Sequence, residues 1–313
     1  MDLSRIREDI DRVDRQIRAL FEERMKLADQ VARVKARTED TIFKPDREAA
    51  IIKKQTEGID SSILREYKAL IKRIMEISRK YQYGRTMDLR DCFPYPFLQI
   101  APDLHKAAMV KEELYACRQF SRDKVLTMDT FEEVGEAVAG GLVDAGIGIL
   151  EMVGVGVSDE LHNMLFQKDL HILSCDVQED RGVRRKVVTF TRDLVVLPDH
   201  NRIRIMFECP NRYGSLASIL SMISDYGVNL TEIHSRPFYV EQDSVGSLTE
   251  SDSSKLVLTE KKDSGKKGWN YRFFAELEAH MDQPEIRALI YQLSQETGFL
   301  KIMGSYACQG DFE

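Results

Sequence analysis

The sequence predicts a multidomain chain: an all-α segment of three helices, then an α/β lobe, then an α+β module of order βαββαβ. Three observations predict it. Apolar residues step by 4 and 3 over residues 6–34 and 63–81, strand-like and helix-like stretches alternate from about residue 97, and from Arg202 two strand-helix-strand patterns follow one another. A chain of 313 residues can bury a separate core in each module.

Composition narrows the function classes. With 43% hydrophobic and 31% charged residues the chain reads as globular. The start, MDLSRIREDID, carries acidic residues and no apolar stretch, and the most apolar run, AGIGILEMVGVGV, is shorter than a membrane span and holds Glu151. The expectation is a cytosolic protein with no membrane partner. Five scattered cysteines, Cys92, Cys117, Cys175, Cys209 and Cys308, suggest neither a disulfide framework nor a zinc site, and no cofactor or metal is expected. A net charge of −7 argues against nucleic acid, but residues 1–85 carry +5 and the remainder −12. That basic segment suits a small anionic ligand, or is simply a solvated helix face.

In the first helix Ile6, Ile10, Val13, Ile17, Leu20, Leu27, Val31 and Val34 form a coiled-coil-like seam. Ser4 is the expected N-cap, and the lack of Pro or Gly until after Arg37 allows about 33 residues, some 50 Å. A second helix is expected from FKPDRE, with Pro45 in the first turn and Asp46 and Glu48 near the positive helix end, stopping at Gly58. The third is expected from Ser61 or Ser62, through Ile63, Tyr67, Leu70, Ile74, Ile77 and Tyr81. One small domain cannot cover so long a first helix, which points to an intertwined dimer.

Arg24 falls where the seam calls for an apolar residue, and a buried guanidinium demands an anion. Lys35, eleven residues on, looks along the same side about 16 Å away. Arg7 points about 100° away and would serve a partner's site. Arg47 and Glu48, with Ser78 and Gln82 at i, i+4, add hydrogen-bonding groups. Two readings stay open: a ligand site, or a polar layer in which Arg24 pairs with Glu48.

The run from Arg7-Glu8-Asp9-Ile10 through Glu23-Arg24, Val34-Lys35, Pro45-Asp46-Arg47-Glu48 and Glu76-Ile77-Ser78 to Gln82 resembles the all-helical chorismate mutase family over residues 1–86. The resemblance implies a homodimer in which Arg24, Lys35, Arg47, Glu48, Ser78 and Gln82 of one chain and Arg7 of the other surround each site. It gives the carboxylates of chorismate to Arg7 and Arg24, the ether oxygen to Lys35 and Gln82, and the ring hydroxyl to Glu48. Ser78 would assist a carboxylate and Arg47 would organise the site. Lys44 stands where some relatives have an acidic residue. Conversion to prephenate is an intramolecular rearrangement, so positioning and charge stabilisation suffice.

In the middle segment FLQI (97–100), a helix from about Asp103, LTMDTFEEVGEAVAGGLVDAGIGIL, a helix near 158–167 and DLHILSCDV alternate strand and helix. In TFTRDLVVL the pair Thr191-Arg192 reads as a half-buried edge strand with one polar residue inward and one outward. Asp129-Thr130-Phe131, Gly141, Asp144-Ala145-Gly146, Val157-Ser158-Asp159-Glu160-Leu161 and Thr191-Arg192 resemble one lobe of a prephenate dehydratase. The resemblance implies a second substrate site at Thr191, Arg192 and Glu151. The stretch for an opposing lobe is missing, the expected Gly/Ser turn reads QIAPDLHK, and Asp193 replaces an aromatic, so little or no dehydratase activity is expected.

The tail reads IRIMFEC (strand), YGSLASILSMISDYG (helix), VNLTEIHSRPF (strand), WNYRFFAELEAH (strand), PEIRALIYQLSQETG (helix) and FLKIMGSYA (strand). His234 and His280 are isolated and read as structural. Tyr213-Gly214-Ser215-Leu216, Asn229-Leu230-Thr231, Ser235-Arg236-Pro237 and the aromatic strand resemble an ACT domain of the phenylalanine-sensing kind. That implies an effector site at Gly214, Ser215, Leu216, Asn229, Leu230, His234, Ser235, Arg236 and Pro237, with His234 where such modules usually have Glu. Gly214 at a helix start leaves N–H groups for a carboxylate. A ligand-free dimerisation module is the alternative.

The expected organisation is therefore residues 1–88, 89–199 and 200–313, with a mobile polar insertion at 241–268. The expected function is a chorismate mutase of aromatic amino acid biosynthesis, regulated by phenylalanine. Its rivals are a bifunctional mutase and dehydratase, a non-catalytic sensing protein, and a structural helical oligomer.

Overall fold

The computed structural model describes residues 2–240 and 268–308. The 241–268 insertion lies, but for Gly268, outside the described residues. Two compact units emerge: Met1–Pro94 with Pro284–Glu296, and Tyr95–Gln283 with Thr297–Glu313.

The first unit begins with α1 (Leu3–Thr38), α2 (Pro45–Thr56) and α3 (Leu64–Leu89). The N-cap of α1 is Asp2, not Ser4: its carboxylate accepts from the Ser4 N–H at 3.2 Å. α3 starts after both serines, because the Asp60 carboxylate takes the Ser62 N–H at 2.8 Å and keeps them in a turn. α2 opens on Pro45 with Asp46 and Glu48 in its first turn. α1 and α2 both pack along α3. Only Ala28 and Ala32 of α1 are buried; Ile10, Ile17, Leu20, Leu27 and Val34 stay exposed.

The second unit contains β1 (Ala107–Val110), β2 (Val125–Met128), α4 (Phe131–Ala139), β3 (Ala145–Met152), β4 (Gly156–Val157), α5 (Asp159–Gln167), β5 (His171–Asp180) and β6 (Val183–Thr191). It continues with β7 (Arg202–Cys209), α6 (Ser215–Asp225), β8 (Asn229–Val240), β9 (Gly268–Glu278) and, after α7 (Pro284–Glu296), β10 (Phe299–Tyr306). The βαββαβ order of the tail is as expected. By its contacts α7 groups with the first unit, where it packs on α3.

One mixed sheet takes every strand of the described residues, in the order β2-β1-β3-β6-β5-β10-β7-β9-β8 with β4 on β3. β1 lies parallel between β2 and β3, while β6 runs antiparallel to β3 and β5. The strand carrying Thr191 is thus an inner strand, not an edge. β10, β7, β9 and β8 are antiparallel throughout. The two halves meet at β5 and β10 through one parallel pair, Gly304 with Ile172, continued by a bridge of Cys175 with Cys308. A Cβ at Gly304 would run into the Ile172 backbone, 2.7 Å from its nitrogen. α4 and α5 cover the core of Val134, Val138, Leu150, Leu161, Leu165 and Phe190.

Two expected elements differ. FLQI contributes one bridge, Leu98 with Val195, and no helix starts at Asp103. Ala107–Val110 is a strand buried at every position, so burial between two neighbours overrides the helix preference of alanine.

Candidate active site

Six of the seven expected mutase residues line one cavity of about 270 Å³ in the helical unit: Arg24, Lys35, Arg47, Glu48, Ser78 and Gln82. Lys44, Arg79, Leu27, Val31, Ile51 and Met75 complete much of its wall. α1 supplies the two cations that its period places on one side, α2 supplies Arg47 and Glu48 from its first turn, and α3 supplies the buried Ser78 and Gln82.

Arg24 donates from Nη1 to the Ile74 carbonyl at 3.3 Å, and Lys35 from Nζ to the Ile42 carbonyl at 2.8 Å. Burial lowers both pKa values, and the Glu48 charge works against that in each case. Gln82 Nε2 donates to the Ser78 carbonyl at 3.2 Å, and its buried Oε1 has no partner among the described residues. Lys44 pairs with Asp40 at 2.5 Å. The result is a cation-lined cavity in which neutral backbone acceptors hold Arg24 and Lys35. Such a cavity suits a small dianion.

Glu48 answers the alternative left open by spacing. Its hydrogen-bonded partner is Arg79, whose Nη1 lies 2.6 Å from both carboxylate oxygens, not Arg24. Arg79 was missed from the sequence. It sits at i+4 from Met75 on the buried face of α3, a face that the apolar stepping from Ile63 to Tyr81 does not mark in the sequence. Arg7, seventeen residues and about 26 Å before Arg24 along α1, is exposed and outside this cavity.

The second expected substrate set does not come together. Thr191 is buried and donates to the Asp193 carbonyl at 3.1 Å, whereas Arg192 is exposed beside Gly141. Glu151 lies at the other end of β3, opposite Lys186 rather than near Phe190, about 17 Å along the strand. It belongs to a buried network. Lys186 Nζ is 3.4 Å from Glu151 and 2.8 Å from Glu232, and Arg204 approaches Glu232 at 2.6 Å and Glu276 at 3.5 Å. Tyr306 donates to Glu276 at 2.5 Å. Burial and the Arg204 charge push the His162 pKa down to about 3; its Nδ1 faces the Ser158 carbonyl at 2.8 Å and its Nε2 faces Arg204 Nε at 3.2 Å. A carbonyl only accepts and a guanidinium only donates, so Nδ1 carries the proton.

A cavity of about 380 Å³ in the second unit is lined by Glu112, Glu113, Asp129, Thr130, Ser158 and Glu160 among others, and by none of Thr191, Arg192 or Glu151. Burial pushes the Glu113 carboxyl up to about 7. Among the described residues no group of three or more His, Cys, Asp or Glu is placed to hold a metal ion, and no helix is long and apolar enough to cross a membrane.

The expected effector residues divide between two ends of the second sheet half. Gly214, at φ +82° before α6, and Ser215-Leu216 follow the end of β7 that Ser235, Arg236 and Pro237 share across β9. Asn229 and Leu230 sit at the opposite end, where Asn229 donates to Glu278 at 3.0 Å. Arg236 is paired to Asp159 at 2.5 Å, and His234 to Glu232 at 2.6 Å.

Residues 6–83 match the family described as chorismate mutase type II, so the helical unit carries a domain of that family. A bifunctional chorismate mutase/prephenate dehydratase of Aquifex aeolicus (strain VF5) is 29% identical over 138 residues, 44% of this chain and 31% of that protein. The chain therefore spans about a third of that relative's length. Two solved structures are similar at TM-scores of 0.48 and 0.46. One is a protein described as a novel type of quorum quenching acylase (20% identity, 65% of this chain, 94% of that one). The other is the prephenate dehydratase of Streptococcus mutans (21% identity, 64% and 97%).

Proposed function

We propose that the chain is a chorismate mutase whose reaction runs in the helical unit. The observation that carries this reading is the convergence of Arg24, Lys35, Arg47, Glu48, Ser78 and Gln82 on one cavity. Chorismate enters as a dianion. Arg24 takes one carboxylate with help from Ser78, and Lys35 stands where negative charge grows on the breaking ether oxygen. Gln82 gives that oxygen a second donor by turning its amide from the Ser78 carbonyl. Glu48 takes the ring hydroxyl, and the walls hold the flexible side chain in its reactive chair.

A second copy of the chain completes the site. The seam from Ile6 to Val34 lies largely exposed on a helix of 36 residues, and Arg7 is too far along that helix to reach its own cavity. Pairing two such seams buries them and brings the partner's Arg7 to each cavity.

The tail acts as an ACT-type module that binds phenylalanine and lowers mutase activity, supported by the βαββαβ order and the open helix start at Gly214. Dehydratase activity is low or absent, since Glu151 lies far along β3 from Thr191 and is held in the network with Lys186, and Thr191 is buried while Arg192 is exposed. One experiment tests all three statements: chorismate and its products are followed in one reaction, with and without phenylalanine. Prephenate without phenylpyruvate, at a rate lowered by phenylalanine, is expected. No prephenate sinks the mutase reading, phenylpyruvate overturns the dehydratase statement, and a rate indifferent to phenylalanine ends the regulatory one.

A further inference from the structure

The contacts that fix Glu48 extend beyond the three helices that line the cavity. Arg79 is buried, with Nη1 on both oxygens of Glu48, and its Nε donates to Glu296 Oε1 at 3.0 Å. Glu296 closes α7, its side chain 5% exposed, and also accepts from Gln292 Nε2 at 3.0 Å. The Phe43 ring covers one guanidinium face at 4.7 Å. A guanidinium is a rigid planar fork, so anchoring Nε on Glu296 and one face on Phe43 dictates where Nη1 points.

Neutralising Arg79 does not require Glu296. Glu48 alone supplies a full negative charge, both its oxygens on Nη1, and burial raises the Glu296 pKa in spite of the guanidinium beside it. A second buried carboxylate on one cation is an electrostatic cost that simple pairing leaves unexplained. α7 also brings Tyr291 and Gln295 to a second cavity of about 280 Å³ that shares Lys35 and Ile42 with the first.

We propose that Glu296 is a positioning residue of the mutase site: by anchoring Arg79 it sets where the Glu48 carboxylate stands. This rests on the mutase reading above. It also gives α7 a role that three-helix geometry does not supply, since α7 lies in the chain between β9 and β10 of the tail. A shift of this helix would be felt at Glu48 without any contact to substrate.

The test is a graded series in the full chain: Glu296→Ala, Glu296→Gln, and Glu285→Gln as a control at an exposed position of the same helix. Since misplacing a catalytic group by about 1 Å can cost about 100-fold, the Ala variant should lose about tenfold in kcat, with KM within about twofold. The Gln variant, which keeps the shape and an acceptor for Arg79, should lose about threefold, and the control should match wild type. A pH profile adds a readout that a merely structural role would not move. Arg79 on α3, Glu48 on α2 and Gln292 on α7 face Glu296, and its carboxyl titrates above the ordinary range. Acidification should therefore bring wild-type kcat toward the Glu296→Gln value, while that variant stays flat over the same window. Wild-type kcat and KM in both variants, or losses that track only the folded fraction, overturn the proposal. If the Ala variant does not fold, the Gln variant decides. An inactive wild-type chain defeats the mutase reading and this one with it; an active wild type with indifferent variants defeats this one alone.

Discussion

The two units use their cations in opposite ways. In the helical unit Arg24 and Lys35 face a cavity and donate hydrogen bonds to backbone carbonyls. In the sheet unit Lys186 and Arg204 are surrounded by Glu151, Glu232 and Glu276. Arg24 and Lys35 are half-buried and Lys186 and Arg204 buried, and only the first pair leaves positive charge for a ligand to neutralise. A carboxylate network satisfied from within stabilises a fold and has nothing left to offer a substrate.

Four measurements bear on that contrast. The largest effect is expected at Arg204: Arg204→Met strands Glu232 and Glu276 in the core and should lower the urea-unfolding free energy by about 3–5 kcal/mol. A loss below about 1 kcal/mol would show that the network is not a structural core. Next, Lys35→Ala should cut kcat by on the order of 10²–10³-fold while unfolding barely changes, because the proposed reaction needs its donor at the developing oxyanion. Near-full turnover in that variant would remove Lys35 from the chemistry.

The third is a pH effect. His162 has a folded pKa depressed to about 3 from an ordinary 6.5, so below the ordinary value the unfolded chain binds the extra proton and stability falls as pH drops. Unfolding free energy should decrease by about 2 kcal/mol between about pH 6.5 and pH 4.5, and His162→Gln should flatten that slope. Equal slopes in both proteins would assign the acid sensitivity to other groups. Smallest of all, Arg192→Ala should leave mutase kcat and KM unchanged within about twofold, since its side chain is exposed and outside the cavity. A selective loss of mutase rate would join the two regions after all.

The helical half of this contrast was legible because one period governs both packing and function. A 3.6-residue repeat that hides Ala28 and Ala32 also aligns Arg24 with Lys35, and Pro45 marks where Glu48 must begin. Arg79 was illegible since a further cation in a basic segment carries no signal until its burial is known. The sheet was harder. Ala107–Val110 has helix-forming residues and becomes a strand only through neighbours 18 and 38 positions away in sequence. The inner position of β6 likewise depends on two partner strands. Arg204, Glu232 and Glu276 come from three different strands, and no local spacing announces that they meet.

Gly304 gives the sheet a seam. Two panels, one led by β3 and β6 and the other by β7 and β9, are stitched by a single residue pair and one neighbouring bridge, where every other junction along the path β2 to β8 has three pairs or more. The absent side chain lets the fabric close, because any larger residue there would wedge against the Ile172 backbone. Amides on both sides of the stitch should exchange with solvent sooner than those within either panel, so the sheet tears along one line before it frays elsewhere.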